Sequence, residues 1–166
     1  MTPDIINSIV IDAAAKLLPA YDTPPARAML IAIALQESGL RERRQIWRYD
    51  GGRPIYGPAR SWWMFERIGV QGVMQHAVSR TDAAEILRAF DYAPDASAIH
   101  QAMEHNDLLA CCFARLLLRT LPQALPGRGD MAEGWRQYIA AWRPGKPRED
   151  SWPAFWAKAW EVIGEQ

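Results

Sequence analysis

The chain has 166 residues, with 19 basic and 19 acidic side chains and a formal net charge of zero. That balance argues against any global attraction to nucleic acid or anionic lipid. A content of 49% hydrophobic and 23% charged residues is that of one globular domain with a real core, not of a disordered chain. No apolar run is long enough to span a bilayer. The start, Met1-Thr-Pro-Asp4, lacks the basic and hydrophobic segments of a Sec signal. Synthesis in the cytoplasm is expected, and any work outside it needs another route.

In chain order, Thr2-Pro3 pairs a cap with proline at the first helical position and opens a helix to about residue 18. Thr23-Pro24 repeats the device and opens a central helix, which Gly39 ends. Residues 40–60 read as a long loop bearing arginines, with Asp50-Gly51-Gly52 as a turn signal. A short tryptophan-rich helix is expected near 61–67 and another near 69–77. Ser79-Arg-Thr-Asp82 resembles a capping box for a helix to about Phe90. Pro94 starts a further short helix, and Asn106 caps a strongly apolar one that Pro122 stops. Asp130-Met-Ala-Glu133 is a second capping box, leading a helix to about Trp142. After Arg143-Pro-Gly-Lys-Pro147, Ser151 caps a last helix whose Trp152, Trp156 and Trp160 form one stripe, read as core. Nothing alternates convincingly as a strand. The expected fold is all-α, one domain over residues 1–166 built around a buried central helix.

The central helix carries the chemistry. From Ala26 to Gly39 it has one charge near its start and none again until Glu37. A helix apolar on all sides belongs in the middle of a domain, so its last turn delivers the Glu37 carboxyl from the core to an edge. Apolar surroundings and the negative end of the helix dipole both favour the protonated form there. An acid kept neutral near neutral pH is what protonating a poor leaving group requires. The plain alternative is a polar residue turning outward at a helix end.

The eight tryptophans cluster in two regions and suit either tight packing or stacking on sugar rings. Cys111 and Cys112 read as buried free thiols, because a vicinal disulfide would staple nothing. His76, His100 and His105 have no metal-ligand spacing. Ser38 has no evident histidine partner, and no phosphate-cradling glycine loop is present.

Three passages, in order, resemble the lysozyme-like superfamily and within it the lytic transglycosylases and related phage-encoded proteins. Ala34-Leu-Gln-Glu-Ser-Gly39 is similar to the segment in which a Glu-Ser pair ends a buried helix. Gly57-Pro-Ala-Arg-Ser-Trp-Trp-Met-Phe-Glu66 resembles a glycine-led stretch lining the cleft floor. Tyr138-Ile-Ala-Ala-Trp-Arg-Pro-Gly145 is similar to the late Ala-Tyr-Asn-x-Gly element facing the acid. The chain departs from the pattern at Ser61, where the family favours glycine, and at Met64, where it favours glutamine. Trp142 and Arg143 replace tyrosine and asparagine.

The resemblance implies a lysozyme-like helical fold and Glu37 as catalytic acid. The bond cut would be the β-1,4 link from N-acetylmuramic acid to N-acetylglucosamine in peptidoglycan. No cofactor or metal is implied. The partners are glycan strands and, for phage-encoded members, other phage proteins, with the protein virion-associated or released to the periplasm. Substrate-facing candidates are Ser38, Tyr56, Trp62, Trp63, Met64 and Trp142, with at least one of Trp62 and Trp63 turned inward. Glu66 is the candidate second carboxylate, against the alternative of a solvated charge beside Arg67. With no compelling second acid, transglycosylation is favoured over hydrolysis. The altered cleft residues keep open a different class, a weakly active or inactive wall-binding or virion module. The arginines at 41, 43, 44, 48 and 53 suit either wall carboxylates or plain solvation. A nucleic-acid role is disfavoured by the zero net charge.

Overall fold

The structure, a computed structural model, describes residues 1–164. Helix α1 covers residues 3–17. Thr2 Oγ1 caps it, and a π-helical stretch at Ile6–Ile11 lies between short α-helical ends. Helix α2, Pro24–Ser38, starts where Thr23 Oγ1 accepts the Ala26 N–H and stops at Gly39 with φ of 59°. That left-handed conformation is one glycine adopts without a side-chain clash. Then come β1 (Arg44–Asp50), β2 (Arg53–Arg60), α3 (Arg67–Gln75), α4 (Arg80–Ala89) and α5 (Ala96–Ala102). Helices α6 (Asp107–Arg119), α7 (Met131–Trp142) and α8 (Trp152–Ile163) complete the order. The fold is mostly helical with one small antiparallel hairpin.

That hairpin corrects the all-α expectation and the long loop assigned to residues 40–60. β1 and β2 pair from Arg44↔Arg60 to Asp50↔Arg53, and Gly51 and Gly52 turn the chain with φ of 54° and 79°. Two glycine-compatible positive φ values at the tip are those of a primed hairpin turn. The turn signal lay in the sequence, but the strands did not alternate: register shifts interrupt the ladder between Arg44 and Arg48, and both faces carry exposed polar or aromatic side chains. A Cβ at Gly57 would lie 2.2 Å from Gln45 Oε1 and 2.5 Å from Trp47 Nε1, so both side-chain ends would have to shift to admit one.

The second correction concerns residues 61–64, which form a turn and not a helix. Ser61 and Met64 have φ of 70° and 48°, and Arg60 and Phe65 close the turn through reciprocal backbone hydrogen bonds. His100, on α5, is buried with Nε2 2.8 Å from the Phe65 carbonyl. The two capping boxes are also absent as such. Ser79 Oγ donates to the Val73 carbonyl, and Asp82 instead meets Tyr21 Oη and Arg119. Asp130 makes no side-chain cap bond, while Glu133 pairs with Arg136. Both helices begin where expected, although the capping groups of the first turn to other elements and Glu133 of the second pairs within its own helix. The Asn106 cap forms as read, accepting from Leu109 N.

Residues 28–34 of α2 are essentially fully buried. α2 packs most extensively on α8 and also touches α1, α6 and α7. The α8 stripe is interior: Trp152 stacks on Trp156 with centroids 5.8 Å apart, and Trp156 meets Trp160 at 5.9 Å. α7 reaches α8 at Gly134, where a Cβ would stand 2.8 Å from the Trp156 ring. Cys111 and Cys112 are free and buried in α6. Among the described residues, no helix is long and apolar enough to cross a membrane.

Candidate active site

The last turn of α2 presents Gln36, Glu37 and Ser38 at the edge of the core. Glu37 Oε1 accepts a 2.6 Å hydrogen bond from Tyr138 Oη on α7. Burial raises the Glu37 carboxyl to about 7, outweighing the Tyr138 hydrogen bond and the Arg148 charge, which both pull it down. Near neutral pH the group therefore holds its proton about half the time. Tyr138 is itself pushed up by burial and by the adjacent carboxyl, so it stays a donor throughout. Its ring cannot swing away: it stacks on Trp152 at 5.4 Å and 11°, and Trp135 lies 5.3 Å off.

Gln36 fixes the other side. Its buried amide donates to the Arg148 carbonyl at 2.9 Å and accepts from Ser151 Oγ at 3.0 Å. Arg148 returns the contact by donating to the Gln36 carbonyl. This reciprocal pair ties the segment before α8 to the end of α2 and holds a guanidinium within electrostatic reach of Glu37.

Of the residues singled out in the sequence, several converge on this corner. Ser38 Oγ lies 2.8 Å from the Trp62 carbonyl and 2.9 Å from that of Ala34, and accepts from Leu40 N. It joins α2 to the 61–64 turn. Trp63 is wholly buried, with Nε1 donating to the Leu30 carbonyl at 2.9 Å. Trp62 is 3% exposed and covered by the Arg43 guanidinium, 4.2 Å from its ring. Neither indole offers a free face to a sugar, because a turn with left-handed residues at both ends sends both neighbours inward. Trp142 is half-buried, between Phe65 at 6.0 Å and Tyr138 at 6.3 Å, and its Nε1 holds the Trp63 carbonyl at 2.8 Å. Met64 is half-buried in the same turn. Tyr56 is exposed on the hairpin under the Arg44 guanidinium. Glu66 is exposed at the start of α3.

Tyr138 and Arg148 were not among the candidate site residues. Trp142 stands where the resembled pattern has a tyrosine and brings no hydroxyl to the acid. Tyr138, one helical turn earlier on the same face, supplies one. Its place in the third passage was the available signal. For Arg148 the sequence carried none, since 112 residues separate it from Gln36.

With Tyr138 donating to Oε1, the carboxyl proton belongs on Oε2, the oxygen left to meet a reacting group. The site is thus an acid poised between its two charge states, with one oxygen fixed by Tyr138 and the other without a hydrogen-bond partner among the described residues. No family model, curated protein or solved structure matches this chain.

Proposed function

We propose that the protein is a peptidoglycan-cleaving glycosidase of the lysozyme-like kind, acting as a lytic transglycosylase with Glu37 as its single acid and base. The observation that carries this is the buried carboxyl at the end of the central helix, held by Tyr138 and raised to about 7. Ser61 adds support. It adopts φ of 70°, a conformation that favours glycine, at the position where the resembled pattern has glycine. A hairpin beside the acid and a mostly helical body are also what a lysozyme-like architecture requires.

In this reading Glu37 Oε2 gives its proton to the glycosidic oxygen as the bond to the muramic acid anomeric carbon breaks and oxocarbenium character develops. The resulting carboxylate is stabilised by the Tyr138 hydroxyl and the Arg148 charge. It then takes the proton of the muramic acid 6-hydroxyl as that oxygen attacks the anomeric carbon. The acid is regenerated and no water is consumed. One carboxyl suffices, and the exposure of Glu66 and of Asp50 at the hairpin turn favours this route over a hydrolysis that needs a second carboxylate.

A second reading is a lysozyme-like wall-binding or virion module with little turnover. It is favoured by Met64, which puts a thioether where the resembled pattern has a glutamine amide, and by the inward packing of Trp62 and Trp63. Incubation with purified peptidoglycan separates the two. Anhydro-muropeptides released by the wild type and absent with Glu37→Gln support the transglycosylase. Reducing-end products mark a hydrolase, and binding with no soluble product marks the module.

A further inference from the structure

The hairpin carries a surface that the acid does not use. Trp47 and Tyr49 are 66% and 64% exposed, among the most exposed large apolar side chains of the chain. They sit on β1 with Arg44 and Arg48, opposite Arg53 at the tip of β2. Among the described residues no ion pair engages Arg41, Arg44, Arg48 or Arg53, whereas Arg43 and Arg60 at the base are tied to Asp107 and Glu104. Two arginines of the base are thus anchored and Arg44, across the ladder from Arg60, leans on the Tyr56 ring, while the outer part carries Arg48 and Arg53 with Asp50, across from Arg53, as its one acidic residue. In a chain of zero net charge this is a local concentration of positive charge interleaved with amphipathic rings.

The hairpin is also fixed in relation to the acid. Ser61 N donates to the Arg43 carbonyl at 2.7 Å, and the Trp62 carbonyl meets Ser38, next to Glu37. From that base a strand of this length reaches roughly 20 Å. A polymer crossing Glu37 and continuing along the hairpin would meet the arginines at a distance from the bond being cut.

We infer that the outer hairpin is a specificity surface that recognises the carboxylates of the stem peptides on the glycan strand, directing the protein to peptide-bearing peptidoglycan over bare glycan. This rests on the proposed wall-cleaving function. Arginine suits the partner because its planar fork meets a carboxylate through two parallel hydrogen bonds, and Trp47 and Tyr49 can stack on sugar or peptide beside it. Anionic groups recurring along one strand match several arginines spaced along one hairpin, where a single small anion would engage only one.

The test uses Glu37→Gln protein, so that turnover does not erode the ligand, in sedimentation with purified sacculi. One portion is intact and the other is stripped of stem peptides by an amidase. Binding to intact sacculi should be about tenfold tighter or more, should weaken with salt, and should fall to the stripped level on adding Arg48→Ala and Arg53→Ala. Trp47→Ala should weaken binding to both preparations alike. Equal binding to both, unchanged by the arginine substitutions, would overturn the inference. So would arginine-dependent binding to phosphatidylglycerol vesicles or single-stranded DNA with none to sacculi. Muropeptide release by the wild type, measured in parallel, separates the two levels. Release without peptide preference sinks only the hairpin role, whereas neither release nor wall binding sinks the wall-cleaving reading with it.

Discussion

The buried end of α2 and the outer hairpin are neighbours built on opposite rules. Around Glu37 the polar side chains on the α2 side have named partners, Tyr138 for Oε1 of the carboxyl, Arg148 and Ser151 for Gln36 and the Trp62 carbonyl for Ser38, and only Oε2 is left over. Behind them, rings stack from Phe65 through Trp142, Tyr138 and Trp152 to Trp156. On the hairpin, rings and cations face outward instead. The same residue types, Trp, Tyr and Arg, thus serve rigidity in one place and contact in the other. The contrast teaches that an indole count says little until burial is known. Here the tryptophans nearest the acid belong to the scaffold, and the freest one, Trp47, belongs to a strand.

Each side of that contrast can be broken separately. The largest effect is expected from Glu37→Gln, which should lower muropeptide release by about a thousandfold while circular dichroism and the thermal transition show a folded chain. A variant that keeps its rate would remove Glu37 from the chemistry. Trp152→Ala, which takes away the ring beneath Tyr138, should cost about 3–5 kcal/mol in urea unfolding. A cost under 1 kcal/mol would mean that the ring stack is not what holds this corner.

Proton binding gives the third handle. The Glu37 carboxyl is raised from 4.5 to about 7 on folding, so between those values the folded chain holds more protons than the unfolded one. Stability should therefore fall as pH rises through that window, by about 3 kcal/mol in all. Glu37→Gln should remove the dependence, and activity should decline above about pH 7 as the acid ionises. Tyr138→Phe is subtler. Losing the hydrogen bond should cost about 1 kcal/mol and move the alkaline limb of the rate profile upward, because that bond favours the carboxylate. An unmoved limb would deny Tyr138 its positioning role. The smallest effect belongs to the hairpin: Trp47→Ser should change stability by no more than about 0.5 kcal/mol, since its ring is exposed.

Much of the helical body was legible in advance. Threonine before proline marked the starts of α1 and α2, Gly39 marked the end of α2, and Asn106 marked the start of α6. The four-residue spacing of Trp152, Trp156 and Trp160 announced an interior stripe. Glu37 was legible as the first charge after a long apolar run. The 61–64 turn was not, because Ser61-Trp-Trp-Met64 has nothing that announces two left-handed residues. At least one indole of the pair was expected to face inward, and the turn buries both. The strands were hidden because their side chains are not sorted to two faces: β1 mixes arginines with aromatic residues, and β2 carries two prolines and a glycine.

Local physics accounts for what the chain alone determined: caps, prolines, glycine and hydrophobic period act within a few residues, and they set where helices begin, end and bury their faces. They also placed a carboxyl at the last turn of the most apolar helix. What only the folded chain decided is which groups meet that carboxyl. Tyr138 lies 101 residues away from it, and Arg148 reaches it only through the clasp with Gln36. Desolvation, hydrogen bonding and charge act through space, so the protonation of Glu37 is a property of the assembled corner and not of any segment.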